Sequence, residues 1–406
     1  MSTQTGCTSS TSRCWAPADP AVARLRLPRT VWVLGFASLL NDTASEMIAP
    51  LLPVFLTAVL GAAPAAIGLI EGLAVATASV LQLVSGRLAD RGVSTRWLVL
   101  GGYGASNLVR PLIALAWAWP VVLLLRFADR IGKGLRTSPR DALLAGAVEE
   151  RHRGVVFGFH RAMDHGGAML GPLLAFGLLQ AGLSTPQVFA ASVVPGALVL
   201  LCLGLGLREP AATPPAPLAP LRWGLLDRRI RGLIGAAGLL AVASVPDAFL
   251  VLWAYQGGIE VVWLPLLWAA AHAVRSAISI PAGYLSDRLG RIPVVTGGWL
   301  IRACLLAVMG AVSRDGTLLW GLFLAYAGAT ACTEGAERAL IGDRAPPEQK
   351  GTAFGIYYLV SGLLALPGAV LFGGLWQSLG QGSAFAVAAA ITLIGAGAFV
   401  HQARQG

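Results

Sequence analysis

The stretch "NDTASEM", residues 41–47, sets two carboxylates, Asp42 and Glu46, four residues apart in otherwise apolar surroundings. On a helix that spacing puts both acids on one face. A second cluster, "HRAMDH", contains His160, Arg161, Asp164 and His165. There His160 shares a face with Asp164, while Arg161 and His165 form the next stripe round. A third, "RFADRIGKGLRTSPRDALL" (126–144), brings Arg126, Asp129, Arg130, Lys133, Arg136, Arg140 and Asp141 directly after the apolar "WAWPVVLLL". Carboxylates without a fixed counter-ion can take up and release protons. Carboxylates with imidazoles can also bind metal, but here only two imidazoles are available and they lie on different faces. Glu71, Asp247, His272, Arg275, Glu334, Glu337 and Arg338, with one lone arginine in each of the third and ninth spans, Arg110 and Arg302, complete the set of ionisable residues inside apolar runs. No nucleophile–base–orienter set is recognisable, and "GKG" at 132–134 lacks the rest of a phosphate-binding loop. Neither an enzyme nor a cofactor is expected, and no metal site is assigned.

The surrounding chain explains why these charges matter. Of its 406 residues 56% are hydrophobic and only 12% charged, about half the charge of a soluble domain. The mean hydropathy is +0.69. Lipid is therefore the solvent for most of the chain. A buried ion at mid-membrane costs about 2.5–3.5 kcal/mol on insertion scales, so each needs a partner, water or a role. About twenty apolar residues in helical form cross a bilayer core. By that measure about twelve spans are predicted, near 31–59, 65–87, 97–116, 119–147, 154–181, 186–207, 230–255, 260–283, 293–312, 317–343, 351–377 and 381–402. At 1.5 Å per residue, Asp42 and Asp164 should reach roughly mid-depth from one side, and Arg126 and Arg130 from the other. A neutralising cluster of these groups near the midplane is the expectation, with Arg136 to Asp141 at the inner rim.

The joints between spans alternate. "LGAAPA", "AWAWP", "AGLSTPQ", "QGGIE" and "SLGQGS" have no basic residue, and "SRDGT" has only Arg314. "GRLADRGVSTRW", "VEERHR", the segment from Arg208 to Arg231, "SDRLGR" and "DRAPPEQK" carry the positive charge. The positive-inside rule then puts both termini in the cytoplasm. It also accounts for the net charge of +10 without a nucleic-acid partner. The five cysteines are scattered with no metal-ligand spacing. Residues 1–29 read as a disordered cytoplasmic tail, and the long first span argues against a cleaved signal.

The Pro/Ala-rich segment 208–229 divides the spans six and six, giving bundles at 30–207 and 230–406. "GRLADR" (86–91) recurs as "GYLSDR" (283–288), an offset of 197. The same offset carries Arg153-Gly154 and the "FG" at 157–158 onto Lys350-Gly351 and the "FG" at 354–355. A duplicated six-helix unit follows, as in transporters built from parallel repeats.

These residues resemble the major facilitator superfamily over nearly the whole chain after residue 30. The family's loop signature between spans two and three is met by Gly86, Leu88, Ala89, Asp90 and Arg91. It is met better in the second copy by Gly283, Leu285, Asp287, Arg288, Gly290 and Arg291. "GAMLGP" supplies Gly167, Gly171 and Pro172 of the span-five motif typical of its antiporters and exporters, and Arg126 matches an arginine early in span four. The resemblance implies an all-α membrane protein of two pseudo-symmetric bundles, working by alternating access, usually as a monomer. In that fold spans one, four, seven and ten line the cavity and three, six, nine and twelve face lipid. The census of charges agrees.

The functional expectation is a proton-coupled exporter of a small organic molecule in a prokaryotic inner membrane. An organic-anion importer or facilitator, a metal or metal-chelate exporter, and a non-transporting binding protein are the alternatives. Asp42, Glu46 and Asp164 are the proton-coupling candidates. Glu71, Arg126, Asp129, Arg130, Lys133, His160, Arg161, His165, Asp247 and Glu334 are candidates for lining the substrate cavity. Gly86, Asp90, Arg91, Gly283, Asp287 and Arg288 are expected to latch the two bundles on the cytoplasmic side, and Gly167, Gly171 and Pro172 to pack and bend span five.

Overall fold

The computed structural model describes residues 27–149, 152–208, 223–312, 316–345 and 350–404. Most of the tail and of the linker between the bundles, and Arg314, lie outside the described residues. Among those described the chain is helical throughout, without strands. It forms twelve rods, as the hydropathy pattern predicts. α1 is Arg29–Glu46, continued after an irregular turn by Leu52–Val54 and the π-turn Phe55–Val59. α2 is Pro64–Asp90, α3 Thr95–Val109 with its 3-10 extension Arg110–Leu115, α4 Trp119–Gly146 and α5 Arg153–Gln180. α6 comprises Thr185–Ala191 and Val193–Gly206, and α7 comprises Arg228–Ala243 and Asp247–Gln256. α8 is Leu264–Leu289, α9 Arg291–Ala311 and α10 Gly316–Arg344. The last helical stretch, Lys350–Arg404, breaks at Gly380, where φ is 84°. That divides it into α11 (350–379) and α12 (381–404).

Local sequence sets several of these ends. Proline opens α2, α4, α6 and α8 within their first two positions, where its missing N–H is no loss. Ser94 caps α3 by accepting from the Trp97 amide, and Ser184 with Gln187 forms a capping box at α6. Eight helical stretches are long and apolar enough to cross a membrane, one of them the α11–α12 pair. The rods outside that set are α1, α4 and α5, the three that hold the charged clusters.

The duplication is visible in the backbone. Six glycines adopt positive φ, all at turns or breaks, a conformation in which a side chain clashes. They form three pairs, Gly61 with Gly258, Gly92 with Gly290 and Gly182 with Gly380, spaced by 197, 198 and 198 residues. α1 and α7 are also interrupted at equivalent depths, each beside a proline, Pro50 and Pro246, that cannot donate to the helix ladder.

The halves meet along α2–α11 and α5–α8. A Cβ on Gly68 would lie 2.2 Å from the Ala369 carbonyl oxygen, and one on Gly373 would lie 2.5 Å from that of Pro64. α2 and α11 thus touch backbone to backbone. At this end one apolar core joins both halves, including Leu51, Phe55 and Phe189 with Phe249, Phe372 and Phe385. At the other end, where the basic joints lie, there are two separate cores. One holds Leu34, Tyr103 and Leu203, the other Ile230, Trp299 and Phe399. The halves are therefore sealed at one end and parted at the other.

Candidate functional site

Glycine places the first two carboxylates. A Cβ on Gly167 would sit 2.3 Å from the Leu39 carbonyl oxygen and 2.9 Å from Asp42 Cβ. One on Gly171 would sit 2.5 Å from the Thr43 carbonyl oxygen and 3.0 Å from Glu46 Cβ. The span-five motif therefore lets α5 lie against α1 at the two turns that bear Asp42 and Glu46. Pro172 is buried inside α5 beside them. The Ser38 hydroxyl donates to Asp164 across the same interface, and His160 Nδ1 lies 3.3 Å from the second oxygen of Asp164.

These groups open onto a cavity of about 330 Å³ between the halves. The first half contributes Asp42, Glu46, Arg161, Asp164 and His165, and the second His272, Arg275, Glu334 and Arg338. Most are engaged, with one another or with residues beside the cavity. Glu46 accepts from the Trp268 indole N–H at 2.8 Å, with His272 Nε2 at 3.8 Å. Arg275 grips Asp247 through both terminal nitrogens at 3.0 and 3.3 Å. Arg338 pairs with Glu334. Asp42 differs. Its carboxylate accepts from the Asn41 amide at 2.9 Å and makes no ion pair among the described residues. Arg161, His165 and Lys133 likewise have no ion-pair partner there, and Arg161 and Lys133 are exposed.

A hydrogen-bonded chain runs from Asp42 into the first bundle. Arg110 Nη1 donates to the Asn41 side-chain oxygen at 2.9 Å and to its carbonyl at 3.1 Å. Arg110 Nε donates to Asp129 at 2.9 Å. Both Arg110 and Asp129 are buried. Asp129 is shared further, with Arg130 Nε at 3.4 Å and Arg126 Nη1 at 3.9 Å. Arg126 is bonded to Glu71 at 3.0 Å. The expected pairing of Arg126 and Arg130 with Asp42 and Glu46 is thus replaced by pairing with Glu71 and Asp129. The reason is packing. α4 is wedged between α2 and α3 by glycines, Gly134 against Leu81 Cβ (2.5 Å for an added Cβ) and Gly132 against the Gly102 carbonyl (2.5 Å). Its arginines accordingly meet Glu71 on α2 and Arg110's partner on α4 itself. Arg136 is buried too, rather than at the rim, stacked 4.4 Å over Tyr103 and donating to Ser106 at 2.9 Å.

In the second bundle Arg302 stacks 4.0 Å over Trp299 and donates to the Tyr326 hydroxyl at 3.1 Å. Glu337 accepts from the Trp299 N–H, leaving Arg338 to Glu334 alone among the described residues. Arg110 and Arg302, the lone charges of the two spans expected to face lipid, both turn inward. Asp90, Arg91, Asp287 and Arg288 are exposed at the open end. Asp287 pairs with Arg291, which reaches Asp343 at 3.2 Å, all within the second half. Gly86 abuts Ser138 at 3.3 Å for an added Cβ, and Gly283 faces open space. Among the described residues no three His, Cys, Asp or Glu side chains group as metal ligands.

Sequence reasoning passed over Trp268, Ser38 and Asn41. The signal was helical spacing: Trp268 precedes His272 by four, Ser38 precedes Asp42 by four, and Asn41 adjoins it.

A family profile described as the Major Facilitator Superfamily matches residues 34–275 and 264–404. An MFS-type transporter of Methanocaldococcus jannaschii is 30% identical over 361 residues, 86% of this chain and 89% of that protein. A protein of Mycobacterium tuberculosis is 29% identical over 385 residues, 88% of each. Among solved structures the nucleoside transporter NupG superposes with a TM-score of 0.79 at 14% identity, covering 92% of this chain and 99% of that one. A POT family transporter in complex with 5-aminolevulinic acid gives 0.78 at 13%, covering 93% and 96%. At these identities the likeness is one of fold.

Proposed function

The chain belongs to the major facilitator superfamily and is a multi-pass membrane transporter, and from that premise we propose that it expels a small organic molecule across the inner membrane in exchange for protons. The observation that carries the reading is Asp42: a carboxylate in the cavity wall, fixed by Asn41 and by the close approach of Gly167, with no cation paired to it among the described residues. A proton and a donor group of the cargo compete for that oxygen pair. Arg161 and Lys133 stand ready for an acceptor group, and a wall so rich in charge favours a polar, ionisable cargo.

The basic joints mark the parted end as cytoplasmic, so this conformation faces inward. Cargo entering from the cytoplasm displaces the proton of Asp42. The halves then rock about the α2–α11 and α5–α8 seams. Outside, a proton replaces the cargo. In the outward-facing state Asp90, Arg91, Asp287 and Arg288 would meet across the closed cytoplasmic end as the latch. Asp164, held by Ser38 and His160, supports α1 from α5, and Glu46 links Asp42's helix to the second half. The antiporter-type motif, Gly167, Gly171 and Pro172, favours export over import. One chain supplies both walls of the cavity, which fits a monomer.

The test uses everted membrane vesicles energised by respiration and a pH-sensitive quench dye. A panel of amines, amino acids, nucleosides and organic acids is added in turn. Export by exchange requires that some compound collapse the gradient, and that Asp42→Asn abolish the effect while the protein stays folded. Gradient collapse that survives Asp42→Asn would sink the role of Asp42. Proton movement only in right-side-out vesicles, together with the compound, would establish import.

A further inference from the structure

The second bundle holds a cavity of its own, about 180 Å³, bounded by α7, α9, α10 and α11. A difference between the two halves accounts for it. In the first bundle Gly102 on α3 abuts Arg136 on α4, at 2.7 Å for an added Cβ, and the Arg136 side chain lies over Tyr103 and donates to Ser106. Gly298 on α9 repeats that crossing against Thr333 on α10. Threonine thus stands where the first bundle has arginine, and the space that a long side chain fills in one half is left open in the other. The guanidinium comes instead from α9, as Arg302 over Trp299. Glu334 lines both this cavity and the one between the halves, so the two adjoin.

Arg302, Glu334 and Glu337 are the charged groups in its wall, and Tyr357 on α11 adds a phenol. Glu334 is taken by Arg338. Arg302 and Glu337 are each more than nine-tenths buried, yet among the described residues neither forms an ion pair, with the other or with any third group. Their direct partners are neutral: Glu337 accepts from the Trp299 indole, and Arg302 donates to the Tyr326 hydroxyl. Arg302 Nε and the hydroxyl of Ser361 in the α11 wall are buried without a hydrogen-bond partner. With Arg338 counted, two cations face two carboxylates, so the net charge is zero and no lone ion is called for. The buried cation and the buried anion nevertheless stand apart on the wall of one cavity. A charge out of water is costly until it is paired and hydrogen-bonded. A molecule with opposite charges at its two ends satisfies both groups at once, and Leu240 and Ala241 give an apolar flank to what lies between.

We propose that this cavity binds a small zwitterion of the amino-acid type, its carboxylate on Arg302 and its ammonium group on Glu337, with Ser361 as a further hydrogen-bonding partner. Treating the zwitterion as cargo, which enters past Glu334, rests on the export reading. Binding itself requires neither a gradient nor Asp42.

Purified full-length protein in detergent micelles is titrated with glycine and with alanine by isothermal calorimetry at constant ionic strength. Acetate and methylammonium, which each carry one of the two charges, are the controls. Saturable binding of the zwitterions is expected, tighter than either control by about tenfold or more. Glu337→Gln keeps an acceptor for Trp299 but loses the charge, and should weaken zwitterion binding by about tenfold or more. Ala241→Leu, which fills the cavity from α7, should remove it. Thermal unfolding reports whether each variant is folded, and should Glu337→Gln not fold, Ala241→Leu decides alone. The proposal fails if neither zwitterion binds saturably, which would leave the cavity to water, if a control binds as tightly, or if a folded variant binds as wild type does. Zwitterion binding without gradient collapse in the vesicle assay would uphold the site and count against export, and gradient collapse by another compound without zwitterion binding would do the reverse.

Discussion

Replacing Gly171 by alanine is a sharp test of how the site is held. The new Cβ would lie 2.5 Å from the Thr43 carbonyl oxygen and 3.0 Å from both Glu46 Cβ and the Met47 amide nitrogen. Ordinary contact begins near 3.4 Å, so α1 and α5 must part by almost 1 Å at the level of Glu46. The opposing atoms are backbone and a Cβ of the α1 segment, and none of them can rotate away. Overpacking of this kind costs about 1–3 kcal/mol, against a gain of up to about 1 kcal/mol from alanine's helix propensity. The same displacement draws Glu46 from the Trp268 indole, so transport should slow as well. Gly177→Ala, in the same helix with nothing within 4 Å, is the control and should be neutral or slightly stabilising. Unfolding in mixed micelles and gradient-driven transport would be measured on both variants. If Gly171→Ala matches wild type, or if Gly177→Ala is equally damaging, the close-approach reasoning is wrong.

Arg110→Met should destabilise by about 3–5 kcal/mol, because Asp129 is left buried without its hydrogen-bonded guanidinium; adding Asp129→Leu should recover part of the loss in the same unfolding assay. Asp287→Ala should change stability by less than about 1 kcal/mol, since its ion pair is solvent-exposed. It should nonetheless shift the inward–outward balance, read by spin-label distances between the two halves. Trp268→Phe removes the indole donor to Glu46, a bond to a charged group worth about 1.5–3 kcal/mol. Disulfide trapping between α1 and α8 near this level should then become less efficient than in wild type.

Periodicity and hydropathy carried much of this architecture. The 197-residue offset marks the duplication in the sequence, and the glycine pairs at the turns repeat it in φ. Asp42 and Glu46 do share the cavity, as four-residue spacing requires. Asp164 does meet His160 for the same reason. The partners of Arg126 and Arg130 were not legible, because helical spacing fixes the face of a residue but not which neighbouring helix that face meets. That choice is made by Gly132 and Gly134, whose roles depend on which backbones they touch. The inward turn of Arg110 and Arg302 was hidden for a related reason: a single charge in an apolar span carries no periodicity of its own. Trp268 was missed because an indole in an apolar run looks like any other core residue until a carboxylate lies opposite its N–H.

A chamber between the halves, open toward the basic joints, is what makes the unpaired charges of Asp42 and Arg161 tolerable. Ala331 lies in its wall, while Leu205 on α6 is 75% exposed on the outer face of the first bundle. The direct measurement is labelling of Ala331→Cys by a membrane-impermeant maleimide, with the five native cysteines replaced and Leu205→Cys as reference. Sealed vesicles of both orientations are compared. Ala331→Cys should react when the reagent is on the side of the basic joints and be protected from the other side, with Leu205→Cys inert from both. A cavity-wall cysteine that stays unreactive from either side, or reacts only from the opposite one, would contradict the chamber on which everything else here depends.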